Sequence, residues 1–286
     1  MNLTDHNVIR DLLNRHGFRF SKALGQNFLV NPSVCPRMAQ LCGADETRAV
    51  LEIGPGFGVL TAELAKTAGK VVSVELDERL LPVLAETLAD CENVEIVQGD
   101  ILKLDLPALL QAHCAGMETV VCANLPYYIT SPVIMALLEG KFGFRAITVM
   151  VQKEAAQRIC APVGSRASGA VTVAVDYYAK AEKLFDVSAG SFFPAPKVDS
   201  AVIRLDIREM PPVQLRDESL FFRMVRAAFG QRRKTAANAI AAGLGIQKDA
   251  VFAALDAAGL PQSVRAEALN MQQLADLANA LAKIQQ

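Results

Sequence analysis

Apolar positions recur at two different periods along this chain, and the change of period marks its organisation. From Ala49 onward, short apolar runs alternate with stretches of helical spacing. AVLEI (49–53), VVSVEL (71–76), NVEIVQGD (93–100), TVVCANL (119–125) and AITVMVQ (146–152) are strand-like. Between them, VLTAELAKTA (59–68) and DERLLPVLAETL (77–88) repeat their apolar residues at the three- and four-residue spacing of one helix face. Such alternation predicts a parallel sheet wound with helices on both faces, a Rossmann-like α/β fold. VTVAVDYYA (171–179) and SAVIRLDI (200–207) lie close together with no long helix between them, and are expected to pair antiparallel at one edge of the sheet. Residues 1 to about 47 read as a helical extension closed by the turn-rich LGQNFLVNPS.

The pattern breaks at MPPVQL (210–215), where two prolines continue neither strand nor helix. The remainder of the chain is rich in alanine and leucine at helical spacing. A boundary is therefore expected within 207–212, with an α/β domain over residues 1–209 and a small all-helical domain over 210–286.

Composition adds constraints. Hydrophobic residues make up 52% of the 286 and charged ones 21%, the profile of a globular protein rather than a disordered one. A net charge of −1 does not advertise nucleic-acid binding, so any such role needs a local patch. One exists between Glu218 and Asp249. That stretch holds no acid but contains Arg223, Arg226, Arg232, Arg233, Lys234 and Lys248. A solvated helix face is the competing reading of the same charges. The six cysteines form no C-x-x-C pair and lack zinc-ligand spacing, so no metal site is expected, and Cys122 inside an apolar run reads as a small core residue. The amino terminus lacks the pattern of a signal peptide, and no apolar run is long enough to span a membrane. A reducing cytoplasm is the expected setting.

Candidate chemistry gathers at the ends of the predicted strands. EIGPGFG (52–58) follows a strand and opens a helix, and its glycines let the backbone turn sharply close to a ligand. The spacing is G-x-G-x-G, with Val59 where the dinucleotide fingerprint has its third glycine. Such a loop alone also reads as a turn with no ligand. Glu75, at the end of the next strand, is placed to accept both hydroxyls of a ribose. Asp100, after the third strand, is placed to accept from the exocyclic amine of an adenine. The loop offers no lysine or arginine to a pyrophosphate and no Walker-type sequence is present, so the crevice suits a nucleoside without phosphates. An acid-leading glycine loop with these two carboxylates looks like that of S-adenosylmethionine-dependent methyltransferases. A nicotinamide dehydrogenase is the competitor. It needs a proton relay, yet His6, His16 and His113 lie in no motif, which leaves tyrosine-based chemistry open.

ANLPYYITSP (123–132) ends the fourth strand, and its chemistry fits an amine nucleophile. The lone pair of adenine N6 is delocalised into its ring. The Asn124 side-chain oxygen and the Leu125 carbonyl, aimed at the amine hydrogens, favour a pyramidal nitrogen whose lone pair faces the methyl donor. Positioning and electrostatics then supply most of the catalysis, with no ionisable base. Tyr127 offers an aromatic face to an unstacked base, and Pro126 stiffens the turn. In SFFPAPKVDS (191–200), Phe192 is a second aromatic for the base and Lys197 a phosphate contact. The alternative is that Phe192 and Phe193 pack beneath a proline-rich loop.

Taken in order, LGQNFL (24–29), EIGPGFG, VEL-D (74–77), QGD (98–100), NLPYYI (124–129), FFPAPKVDSAV (192–202) and FGQRRKT (229–235) resemble the small-subunit ribosomal RNA adenine dimethyltransferases of the KsgA/RsmA type, over nearly the whole chain. The resemblance implies S-adenosylmethionine held by Asn27, Leu29, Gly54, Glu75, Asp100 and Asn124, with Gln26 at the cofactor mouth. It implies a target adenine held by Asn124, Leu125, Tyr127 and Phe192. It further implies dimethylation of two adjacent adenosines near the 3′ end of small-subunit RNA by a monomer acting on an immature 30S-type particle, with Lys197, Arg223, Arg226, Arg232, Arg233 and Lys234 meeting RNA. Large-subunit methyltransferases that confer macrolide resistance share NLPY-like and P-x-P-K-V elements but are not expected to carry FGQRRKT. Assembly checkpoints and transcription factors of the same fold bind nucleic acid with little need for methylation. The intact Glu52, Gly54, Glu75, Asp100 and N-L-P-Y set argues for catalysis.

Overall fold

The computed structural model describes residues 1–18, 25–231 and 233–284. These fall into two compact units, Met1–Ala156 with Glu182–Ile207, and Gln157–Ala181 with Arg208–Gln286.

The first unit is built on strands β1 (Phe28–Leu29), β2 (Arg48–Ile53), β3 (Lys70–Glu75), β4 (Val94–Gln98), β5 (Glu118–Asn124), β6 (Ala146–Gln152), β7 (Ala179–Val187, entering from the second unit), β8 (Phe192–Phe193) and β9 (Ser200–Ile207). Seven of them form one sheet in the order β4-β3-β2-β5-β6-β9-β7. The first five in that order run parallel, and β9 is antiparallel to β6. Because the order reverses at β2 and β5, the carboxyl ends of these two strands part around a crevice, where ligands of open α/β sheets bind. The apolar runs read from the sequence are these strands, and β2 and β5 are buried along almost their whole length, as strands covered on both faces must be.

The amino-terminal extension is integral to this unit. Helix α1 (His6–Arg15) starts at Asp5, whose side chain caps the Asn7 N–H at 2.7 Å. Ile9, Leu12 and Leu13 form one stripe of α1 and pack with Phe18, Phe28, Phe57 and Leu84. Helices α2 (Val34–Leu41) and α3 (Val59–Ala65) bury Met38, Leu60 and Leu64 with Val50, Val120 and Cys122 of the sheet. Helices α4 (Leu81–Thr87), α5 (Leu106–His113) and α6 (Thr130–Glu139) follow β3, β4 and β5.

The sequence reading of 171–179 as a strand is overturned: Ala170–Tyr178 is a helix, α8, following α7 (Lys153–Ile159). The alternation of valines misled because Thr172, Val173, Ala174, Val175 and Tyr177 are all buried, so a continuous apolar run carries no period of its own. Thr172 Oγ1 accepts from the Gly169 N–H at 2.9 Å and starts the helix there. The strand beside β9 is instead β7, a charged sequence with Lys180, Glu182, Lys183 and Asp186, the composition that protects a sheet edge.

The second unit carries α8 together with α9 (Glu218–Gly230), α10 (Ala236–Leu244), α11 (Lys248–Ala257) and α12 (Met271–Ile284). Asp217 and Thr235 cap α9 and α10, and Gly245 ends α10 in the left-handed region. Tyr177, Tyr178, Phe221 and Phe222 form its aromatic centre, and Tyr178 Oη donates to Glu218 Oε1 at 2.8 Å.

Candidate active site

The carboxyl ends of β2, β3 and β5, together with the loop after β4, open onto one cleft with about 1100 Å³ of empty space, its mouth included. Asn27, Leu29, Gly54, Glu75, Asp100 and Asn124 all line it, and so do Leu125, Tyr127 and Phe192. The six residues expected at the cofactor and the four expected at the target base, sharing Asn124, therefore meet in a single cavity of the first unit.

The glycine loop forms the floor. Gly54 has φ +70° and open space where a Cβ would stand, so nothing but a hydrogen separates its backbone from the cleft. Gly56, at φ +61°, lies against Phe28, whose ring would come within 2.9 Å of an added Cβ. Phe28 in turn stacks on Phe57 with ring centroids 3.8 Å apart. The loop is thus held from behind by an aromatic pair that spans the extension and the glycine turn itself.

Three acids face or back this floor. Glu52 is buried, and its Oε2 accepts from Ser73 Oγ at 2.6 Å and Thr61 Oγ1 at 2.7 Å. Burial outweighs those two hydroxyls and, with the nearby charge of Glu75, pushes its pKa up to about 7. Glu75, also buried, accepts the Asp77 N–H at 2.8 Å and the Gly56 N–H at 3.4 Å. Burial raises its pKa, opposed by those same N–H groups. Asp100 is partly exposed, accepts the Leu102 N–H at 3.1 Å and pairs with Lys103 at 3.3 Å. No lysine, arginine or histidine lines the cleft among the described residues. Among the described residues, a wall carrying Glu52, Glu75 and Asp100 suits a ligand that carries positive charge and a ribose better than one that brings a pyrophosphate. S-adenosylmethionine fits both conditions, while a nicotinamide dinucleotide fits neither the charge nor the loop.

The far wall is the turn after β5. Pro126 leads a single 3₁₀ turn, Tyr127–Ile129, before α6. The Tyr127 hydroxyl lies 2.7 Å from Ser200 Oγ, which fixes the ring, and burial keeps the phenol neutral by raising its pKa. Phe192 reaches the cleft through a two-stranded pairing in which Leu29 faces Phe192 and Phe28 faces Phe193. The Val30 N–H adds a bond to the Ser191 carbonyl at 2.9 Å, and Asn31 Nδ2 one to Ser191 Oγ at 3.1 Å. Phe192 is only 4% exposed and packs with the core, so its edge belongs to both the cleft and the interior.

The residues expected at RNA are divided between the two units. Lys197 is exposed on the loop after β8, in the first unit. Arg223 and Arg226 are exposed on α9, and Arg233 and Lys234 follow it, all in the second unit. Arg232 and Leu24 lie outside the described residues. Lys248 of the basic stretch sits 4.8 Å over the Phe252 ring. Sequence reasoning missed Ser200, which orients Tyr127, and the Phe28–Phe57 stack. Ser200 lies inside the FFPAPKVDSAV segment, but nothing in that segment points to a tyrosine 73 residues earlier.

The family model for ribosomal RNA adenine dimethylase matches residues 17–283. The chain belongs to that family. Among relatives of this dimethylase, the ribosomal RNA small subunit methyltransferase A of Shouchella clausii (strain KSM-K16) is 45% identical over 273 residues, 94% of this chain and 92% of that one. The protein of the same name from Geobacillus thermodenitrificans (strain NG80-2) is 45% identical over 276 residues, 95% and 94% of the two chains. Among solved structures, a dimethyladenosine transferase from Plasmodium falciparum aligns with a TM-score of 0.72 at 25% identity, over 87% of this chain and 95% of that one. The 23S rRNA methyltransferase ErmE aligns with a TM-score of 0.66 at 28% identity, over 90% and 100%. The dimethylase fold is thus shared by proteins named for small-subunit and for 23S RNA, and the fold alone does not choose between them.

Proposed function

We propose that this dimethylase uses S-adenosylmethionine to methylate N6 of two adjacent adenosines, twice each, in the 3′-terminal hairpin loop of small-subunit (16S) ribosomal RNA. The observation that carries the reading is the cleft itself, where a floor carrying Glu52, Glu75 and Asp100 faces the Asn124–Tyr127 turn and Phe192. The 45% identity to small-subunit methyltransferases over more than nine-tenths of the chain favours that RNA over the 23S substrate of ErmE.

Glu75 holds the ribose, Asp100 the adenine amine, and Asn27, Leu29 and Gly54 the remainder of the cofactor. When bound, S-adenosylmethionine supplies a methyl group already activated on a positively charged sulfur. Asn124 and the Leu125 carbonyl accept from the target amine and turn its lone pair toward that methyl. Tyr127 and Phe192 sandwich the flipped base, and the Ser200 hydroxyl keeps the Tyr127 ring in the stacking orientation. Lys197 meets backbone phosphate near the cleft, and Arg223, Arg226, Arg232, Arg233 and Lys234 make the helical region of residues 210–286 an RNA-binding domain. The enzyme acts as a monomer in the cytoplasm on an immature 30S-type particle. No helix among the described residues is long and apolar enough to cross a membrane.

The test is methyl transfer from labelled S-adenosylmethionine to unmethylated small subunits, with unmethylated 23S RNA in parallel. N6,N6-dimethyladenosine in the small subunit alone is the expected result. Label in 23S RNA places the enzyme on the other substrate. No label in either, with the cofactor still bound, leaves a nucleic-acid-binding role without methylation.

A further inference from the structure

Asp77 is a buried carboxylate, 6% exposed, that does not line the cleft. No step of the proposed reaction uses it, yet its carboxylate takes four hydrogen bonds. Its Oδ2 accepts from Gln26 Nε2 at 2.9 Å and from Arg79 Nη2 at 2.6 Å. Its Oδ1 accepts from Arg79 Nε at 2.8 Å and from the Arg79 N–H at 3.2 Å. Its own N–H donates to Glu75 Oε1 at 2.8 Å. Arg79 also lies 5.1 Å over the Phe18 ring, and beside it the Asp77 carboxyl stays below the usual range and ionised.

One residue, 51 positions from Gln26 in sequence, therefore joins two parts of the cleft. Through its backbone it sets the rotamer of Glu75, and through its side chain it holds Gln26 at the cleft wall beside Asn27. A buried charge is costly unless fully bonded, and this one has four donors. Its desolvation is offset only while Gln26 and Arg79 stay in place, so the arrangement favours one position of the Gln26–Leu29 segment.

We propose that Asp77 is a positioning residue for cofactor capture, strapping the Gln26–Leu29 segment to the ribose-binding carboxylate of Glu75. The inference rests on the assignment of the cleft to S-adenosylmethionine. A strap that preorganises the pocket before the cofactor arrives lowers the cost of binding and leaves the chemical step alone.

The experiment compares Asp77→Ala, Gln26→Ala and the double variant with the parent. It reads the dissociation constant of S-adenosylmethionine by calorimetry, KM and kcat for methyl transfer to unmethylated small subunits, and unfolding without cofactor. Losing a hydrogen bond to a charged group is expected to weaken cofactor binding and raise its KM about tenfold in either single variant. For Asp77→Ala, kcat at saturating cofactor and KM for RNA are expected within about twofold of the parent. The double variant is expected to be no weaker than the worse single one, because both remove the same bond. Gln26→Ala leaves no buried charge without Arg79 and keeps the test alive if Asp77→Ala unfolds. Parent-like cofactor affinity in a folded Gln26→Ala, or additive losses in the double variant, would overturn the strap. A parent that binds no S-adenosylmethionine overturns the cofactor assignment and the strap with it.

Discussion

Replacing Glu52 by Gln is expected to remove a pH-dependent loss of stability. The Glu52 carboxyl is 1% exposed and its pKa rises from 4.5 to about 7 in the folded chain. The cause is burial, with a smaller push from the Glu75 charge, against two hydroxyl donors. The folded state thus binds this proton more tightly than the unfolded state. The contribution to stability is fully present below about pH 4.5 and is lost as pH rises through 7. A displacement of that size corresponds to roughly 3 kcal/mol for ionising the group in place. Gln keeps the volume and an oxygen for Thr61 and Ser73, but cannot ionise. The difference in unfolding free energy between Glu52→Gln and the parent is expected to grow by about 3 kcal/mol from pH 4.5 to pH 8, in favour of the variant. Urea unfolding followed by circular dichroism across that range measures it, and titrating groups that do not interact with Glu52 cancel in the difference. A difference that does not change with pH would refute the reasoning and show that water or a rearranged partner solvates the carboxylate.

The remaining predictions concern the cleft and the basic segment. Asn124→Ala is expected to lower kcat by at least ~10²-fold while leaving RNA binding intact, the scale of losing one positioned polar group; unchanged turnover removes Asn124 from the mechanism. Gly56→Ala combines a left-handed backbone with a Cβ 2.9 Å from the Phe28 ring. It is expected to lower unfolding free energy by roughly 2–3 kcal/mol, whereas Gly54→Ala, with open space at its Cβ, costs only about 1 kcal/mol of strain and instead weakens cofactor binding. Equal destabilisation of the two would contradict the Phe28 packing. Neutralising Arg232, Arg233 and Lys234 together is expected to flatten the salt dependence of RNA binding with cofactor affinity preserved; a slope equal to the parent's returns these charges to the solvated-face reading.

The strands from Ala49 to Gln152 were legible in the sequence because each is a short apolar run bounded by turns or helical spacing, and local pattern suffices for that. Their end residues were legible too. Glu75, Asp100 and Asn124 each end or follow a strand, and a parallel sheet brings such ends to one side whatever packs elsewhere. Phe192 was read from its own aromatic segment, the resemblance to ribosomal RNA dimethyltransferases added Asn27 and Leu29, and the cleft gathers all three. The run at 171–179 was not legible, since the four consecutive buried residues Thr172–Val175 show no preferred period, and its helical form was settled by a start at Gly169 and by packing. Nor could the sequence show how Phe192 arrives at the cleft, because Leu29 pairs with it across 163 positions. The same holds for Tyr127 with Ser200 and for Gln26 with Asp77. Chain order and side-chain period determined which residues end at the crevice. Only the tertiary structure decided how each is held there, because the bonds that orient them join segments whose closeness exists once the sheet has formed.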